Sequence, residues 1–351
     1  MKILIRVTLI VVVVVGLFKW QGWRGWLDKA NAPQLTANAP QLTREHSNSL
    51  VFVEGRSGKG SGFICNFAGK KFVVTNQHVV AGNPGTKFTL LDQSPIQTGQ
   101  ASAAVGHDIM TFALLSDAKA MEMMTDVERN AAIGDDVAVL GNSDGDRVIK
   151  PLPGKLLGIG PDRVEVSAEF VHGNSGSPII HIRSGKVIGI ATFATVRKAD
   201  SITGRPKDQP EVKRFGYRLD TVKQWQPVAW PEYTAEFQLL EKVETRTRDF
   251  VKFLLTGRLS AMEYGDPAIR NPLERFANAA RGQGLIKTDR LSAKKELIDS
   301  LRTASETDIF QTQSQLKYDY FRRKLEEHQK LRGELHKGFD EALKKLPMGS
   351  Q

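Results

Sequence analysis

The chain has 351 residues, 40% hydrophobic and 25% charged, enough for about two globular domains of ordinary composition. Its formal net charge of +10 is carried without a long basic block or a nucleic-acid-binding motif, so no nucleic-acid partner is expected. The single cysteine, Cys65, excludes an intrachain disulfide framework and a cysteine-rich metal site; within Phe63-Ile64-Cys65 it reads as a small buried hydrophobe.

Residues 1–26 read as a membrane or export segment. Val7 to Phe18 is uncharged and apolar, with Lys2 and Arg6 before it and Lys19 after it. No small-x-small site follows Phe18; Ala30-Asn31-Ala32 offers one, far from the apolar run. A helix from Ile3 to about Trp23 spans ~30 Å of hydrocarbon if Arg6 and Lys19 snorkel. Trp20, Trp23 and Trp26 then fall where aromatic belts form. An uncleaved anchor is favoured over a cleaved signal; either places the rest of the chain outside the cytoplasm, on the periplasmic side. Residues 27–47 form a linker in which Asn31-Ala32-Pro33-Gln34-Leu35-Thr36 recurs as Asn38-Ala39-Pro40-Gln41-Leu42-Thr43.

From 48 to 227 short apolar runs alternate with glycine-rich turns: Leu50–Val53, Phe72–Thr75, Val137–Leu140, Val164–Val166 and Val187–Ile190. These predict the strands of an all-β domain. Asn142-Ser143-Asp144-Gly145-Asp146 reads as a hairpin turn, because Pro153 stands where a calcium loop needs its last carboxylate. From 228 to 347 the character changes; 24 of the 31 glycines lie before that point. Phe237, Leu240, Val243, then Phe250, Phe253 and Leu254 have helical spacing. Further helices are expected near 268–281, 289–304 and 307–345, making a separate α-helical C-terminal module. It is open to three uses: packing on the β domain, homo-oligomer formation, or recruiting a protein partner.

One hexapeptide carries the chemistry: Gly173-Asn174-Ser175-Gly176-Ser177-Pro178. Flanking glycines let a chain bend sharply around a serine and turn its amides inward. A serine nucleophile also needs a base and a group that orients the base. His78, after the run Phe72 to Thr75, is the candidate base, and Asp108, opening another apolar run, would orient it. The amides of Gly173 and Ser175 are the candidate oxyanion donors. His107, next to Asp108, is expected to face away from it, and His172 and His181 read as structural.

Three segments resemble the trypsin-like (chymotrypsin-fold) serine peptidases. They are Gly60-Ser61-Gly62-Phe63 leading into Thr75-Asn76-Gln77-His78-Val79-Val80, then Asp108-Ile109-Met110, then the hexapeptide. The order His, Asp, Ser agrees with that family. The first motif is similar to the bacterial HtrA (Deg) and glutamyl-endopeptidase branches, the last to the second of these. The likeness covers roughly residues 48–227. It implies an all-β domain of two antiparallel six-stranded β-barrels with the site between them. It also implies hydrolysis of polypeptide substrates through an acyl-enzyme, with no metal and no organic cofactor. Gly189 to Ala194 resembles the strand that pairs with substrate, giving Thr192, Phe193 and Ala194 as contacts; Phe215-Gly216-Tyr217 resembles the last pocket strand. Glu169 falls near the pocket base, where a carboxylate attracts Lys or Arg, whereas Phe193 and Phe215 would narrow the pocket toward small side chains; both readings stay open. Asn174 replaces the aspartate that binds a newly cut N-terminus, so activation by N-terminal cleavage is not expected. No PDZ pattern follows the domain. The competing reading is a catalytically silent peptide-binding or scaffold protein on the same fold.

Overall fold

A computed structural model describes residues 44–55, 58–67, 69–142, 147–199, 206–256 and 309–344. The apolar N-terminal segment, the tandem repeat and the helices expected near 268–281 and 289–304 lie outside the described residues. Among the described residues, no helix is long and apolar enough to cross a membrane.

A short helix, α1 (Arg44–Asn48), leads into an antiparallel meander of β1 (Leu50–Glu54), β2 (Lys59–Phe67) and β3 (Lys70–Thr75). One helical turn, α2 (Gln77–Val80), ends β3. Then β4 (Lys87–Thr89) pairs with β1, and β5 (Thr98–Ala104) pairs with β6 (Met110–Leu114), which lies against β3. The two-residue β7 (Met121–Glu122) adds in parallel to β2. After the turn α3 (Val127–Asn130), a second sheet is built from β8 (Asp136–Asn142), β9 (Ile149–Ile159), β10 (Arg163–Val166), β11 (Pro178–His181), β12 (Lys186–Ala199) and β13 (Pro206–Tyr217). It closes in the order β10-β13-β12-β11-β8-β9. Finally β14 (Trp225–Pro227) returns to the first sheet beside β5.

The expected pair of six-stranded barrels is therefore half met. The second sheet closes with six strands, but the first is an eight-stranded open sheet ordered β14-β5-β6-β3-β2-β1-β4, with β7 beside β2. Its β4 edge is three residues long. Beyond it, Pro95 bridges Thr89 and has no N–H with which to extend a ladder.

Strands β8 and β11 explain why their sequences are apolar almost without alternation. Val137, Val139 and Ile179 fill the closed barrel with Leu156, Val164 and Ile188. Leu140 and Ile180 face the other way and join Leu50, Phe63, Val74 and Ile109 of the first sheet. A strand buried on both faces has no solvent face to carry polar residues. Each fully buried Ile or Leu stabilises the join by roughly 1.5–3 kcal/mol. Cys65 is buried in this second cluster, and burial pushes its thiol pKa up to about 12.

Helix α4 (Trp230–Thr256) follows, with Leu240 and Val243 buried as their spacing predicted. Described residues up to Thr234 form one compact unit, and those from Ala235 a second. Within the second unit the single helix expected over 307–345 is interrupted. Residues 309–313 are helical, the chain then leaves the helix, and α5 (Asp319–Lys344) starts afresh. Buried Glu236 explains the restart, since its carboxylate accepts hydrogen bonds from the N–H groups of Lys317 (2.9 Å) and Tyr318 (3.0 Å). Burial pushes the Glu236 carboxyl above its ordinary value against the pull of those two donors.

Candidate active site

Three loops carry the candidate residues, and hydrogen bonds fix each one. At the end of β3, Asn76 is the N-cap of α2, which presents His78. Asp108 lies in the turn between β5 and β6, where Gly106 takes φ 82°. The His78 backbone N–H donates to Asp108 Oδ1 at 3.1 Å, and His78 Nδ1 lies 2.6 Å from Asp108 Oδ2. The Asp108 side chain is 9% exposed and that of His78 36%. A buried carboxylate holding one ring nitrogen leaves Nε2 as the proton acceptor on a half-open face.

Asn76 and Gln77 hold the same turn. Asn76 Nδ2 donates to the Asp108 carbonyl at 2.7 Å and to Thr192 Oγ1 at 3.1 Å. Gln77 Nε2 donates to the carbonyls of His107 (2.8 Å) and Ala104 (3.2 Å). Three consecutive residues, 76 to 78, thus grip one turn. The first two gave no sequence signal beyond their place in the His78 motif.

Ser175 sits in a turn bounded by Gly173 and Gly176, both at φ 90°, a region that disfavours any side chain. A Cβ on Gly176 would run into the Ser61 carbonyl. Ser61 ties the turn to the first sheet, its N–H donating to the Ser175 carbonyl at 2.9 Å and its hydroxyl to the Gly173 carbonyl at 2.8 Å. Thr75 Oγ1 donates in turn to the Ser61 carbonyl at 2.8 Å. Val79, next to His78, and the Ser175 carbonyl flank Gly60; a Cβ there would lie 2.7 Å from Val79 Cγ1 and 3.3 Å from that oxygen. The structure thus brings the Ser175 turn beside the histidine helix. No hydrogen bond joins the Ser175 hydroxyl to the His78 ring among the described residues. The N–H groups of Gly173 and Ser175 have no acceptor among the described residues.

Asn174 is buried and turned inward: its Oδ1 accepts from the Val171 N–H at 3.0 Å, and its own N–H donates to the Val171 carbonyl at 3.1 Å. The loop is closed by its own asparagine.

Around the site, Thr192 is buried and donates to the Ile190 carbonyl at 2.9 Å, while Ala194 is exposed on the same strand. Phe193 stacks on Phe215 with centroids 5.3 Å apart and rings inclined by 27°. Arg163, paired with Asp162, lies over Phe193 at 5.8 Å and Tyr217 at 5.7 Å. Glu169 is exposed, and its charge acts on Arg214, which burial pushes below the usual arginine range.

The other three histidines singled out in the sequence fall outside this chemistry. His107 does turn from Asp108, although it lies in a turn and not on a strand. Its Nε2 meets Thr221 Oγ1 at 2.8 Å and its ring edge meets Tyr217 at 5.5 Å. His181 is buried between Ser184 Oγ (2.9 Å) and Asp135 Oδ2 (3.0 Å), and His172 is exposed.

Similarity to known proteins covers the same region. Residues 60–190 match the family model described as a trypsin-like peptidase domain. A curated relative, the chloroplastic Protease Do-like 1 of Arabidopsis thaliana, is 26% identical over 47% of this chain and 40% of its own length. The chain therefore spans about two fifths of that protein. Among solved structures, an inactive form of the Rv3671c protein of M. tuberculosis H37Rv is 21% identical, with TM-score 0.40, covering 55% of this chain and 91% of that one. A serine endoprotease from Yersinia pestis is 19% identical, with TM-score 0.39, covering 50% and 60%. The family match takes in the His78 helix, the Ser175 turn and most of the closed barrel, so residues 60–190 are similar to a trypsin-like peptidase domain.

Proposed function

We propose that this protein is a serine endopeptidase. Ser175 attacks the peptide carbonyl, and His78 takes its proton and returns it to the leaving amine. Asp108 holds the ring and stabilises its charged form. The Gly173 and Ser175 N–H groups receive the oxyanion, and water, deprotonated by His78, then cleaves the acyl-enzyme ester, releasing the acid and restoring the Ser175 hydroxyl. The observation that carries this reading is the 2.6 Å contact between His78 Nδ1 and Asp108 Oδ2, beside a serine turn with two unmatched amides. Thr192 to Ala194 would receive the substrate as an added strand. The Phe193–Phe215 stack supports a narrow first pocket for small side chains, and Glu169, exposed and facing the charge of Arg214, is poorly placed to select Lys or Arg.

The apolar segment Val7–Phe18 would tether the domain to a membrane, with the peptidase on the extracytoplasmic side. Retention in alkali-washed membranes tests the tether; release of the intact chain by carbonate would remove it. Activity is tested with a serine-directed fluorophosphonate on the parent and on Ser175→Ala. Labelling of the parent alone, with cleavage of an unfolded protein, is expected. No labelling and no cleavage would leave the silent scaffold as the better account.

A further inference from the structure

We infer that Tyr233, at the start of α4, is a positioning residue for the His78–Asp108 pair and acts through Gln77. The inference rests on the peptidase reading above. Tyr233 is fully buried, and its hydroxyl donates to Gln77 Oε1 at 2.9 Å. Gln77 is also fully buried, and its two N–H bonds go to the carbonyls of His107 and Ala104.

A carboxamide has one accepting and one donating end of nearly the same shape, so its neighbours decide which way it faces. Here the two carbonyls demand the NH₂ end on one side, and the tyrosine hydroxyl demands the oxygen on the other. All three agree, which leaves the side chain one orientation. Its backbone neighbour is His78, and the carbonyl it holds belongs to His107, the neighbour of Asp108. The amide therefore ties the two residues flanking the 2.6 Å contact. Without the hydroxyl, the buried oxygen loses its donor, and rotating the amide to find another breaks the hold on His107.

The donor is itself well supported. Trp230, one helical turn earlier, stacks on Phe112 of β6 (6.1 Å, 18°) and meets the Tyr233 ring edge-on at 5.9 Å. The Val228 N–H donates to the Ala101 carbonyl at 2.9 Å, next to the β14–β5 pairing. Residues 225–233 thus form a seam on the first sheet that ends in the hydroxyl behind the pair. The tyrosine lies 156 positions from its acceptor, in a segment that carries no catalytic motif of its own.

The test uses the full chain as parent, Tyr233→Phe, Gln77→Met and the double variant, with Ser175→Ala as the labelling control. Phenylalanine keeps the ring and removes only the donor. Tyr233→Phe should slow fluorophosphonate acylation and lower kcat by about tenfold, with KM unchanged. The double variant should be no slower than Gln77→Met alone, because both changes break one linkage. The downfield proton resonance of His78 Nδ1–H gives a readout that needs no turnover, and it should move or broaden in Tyr233→Phe. A parent-like acylation rate with an unmoved resonance would overturn the inference, as would losses that simply add. If the parent itself neither labels nor cleaves, the peptidase reading fails, while the resonance still decides whether Tyr233 holds the pair.

Discussion

The hydroxyl of Ser61 is shared between the Ser175 turn and the end of β8, donating to the Gly173 carbonyl at 2.8 Å and accepting from the Asn142 N–H at 2.9 Å. One buried oxygen thereby ties the start of the Ser175 turn to the end of β8. Ser61→Ala should leave both groups short of a partner, costing about 1–3 kcal/mol of stability. By loosening the Ser175 turn it should also lower kcat by roughly tenfold or more with little change in KM. Thermal melting and steady-state kinetics check the two effects separately.

Asp108→Asn keeps the shape of the turn and removes the charge that faces His78. The imidazole then loses the partner that selects its tautomer. Turnover should fall by ~10⁴ while the protein still binds peptide. A drop of less than about tenfold in single-turnover acylation would contradict the role given to this carboxylate.

The pocket prediction separates the two readings of Glu169 and the phenylalanines. A peptide library should show cleavage after small side chains and no gain for Lys or Arg. Phe215→Ala should admit larger apolar residues by removing one ring of the stack with Phe193. Glu169→Gln should leave the profile unchanged.

Much of this arrangement is legible in the order of the amino acids. The strands around Val51, Val74, Val139, Val164 and Ile188 announce themselves, because buried ladders need apolar runs between turns. The Ser175 turn shows because only glycine accepts φ 90° on either side of the serine. The open first sheet does not show: closure depends on where an edge strand stops, and β4 stops after three residues for reasons spread over Thr89 and Pro95. The break before α5 is hidden for a similar reason. Its cause is Glu236, some 80 residues upstream, while the local sequence has ordinary helical spacing. Tyr233 is the extreme case, a side chain defined wholly by a distant partner.

A pH dependence follows from the ion pair of Glu54 and Arg147, at 2.6 Å. The hydrogen bond from Arg147 holds the Glu54 carboxyl below its ordinary value. The folded state therefore binds this proton less readily than the unfolded chain. The contribution is complete above the unfolded glutamate pKa and is lost as pH falls through the lower folded value. The difference in melting temperature between parent and Glu54→Gln should be present at neutral pH and shrink toward pH ~3. A difference that grows on acidification would contradict this sign.

Arg218 is 3% exposed; it grips Asp220 with two hydrogen bonds, at 3.0 and 2.8 Å, and reaches Glu128 at 2.7 Å and the Gly160 carbonyl at 2.8 Å. Asp220 in turn accepts from the Val127 N–H at 3.0 Å, at the start of α3. Arg218→Ala strands a buried carboxylate and should cost about 3–5 kcal/mol. Replacing both Arg218 and Asp220 by apolar residues of similar size should cost less than Arg218→Ala alone. Chemical denaturation of the three proteins measures the difference.

The burial of Cys65 has a practical side. The only thiol of the chain lies in the core with its pKa pushed up to about 12, so at neutral pH it offers almost no thiolate to an electrophile. A cysteine introduced on the surface, beside the pocket or along α5, would be the one reactive sulfur in the folded protein. A dye, spin label or cross-linker can then be placed at one chosen position without first removing a native residue. The β domain and the helical unit can each be tagged this way while the serine turn stays free for its own reagent.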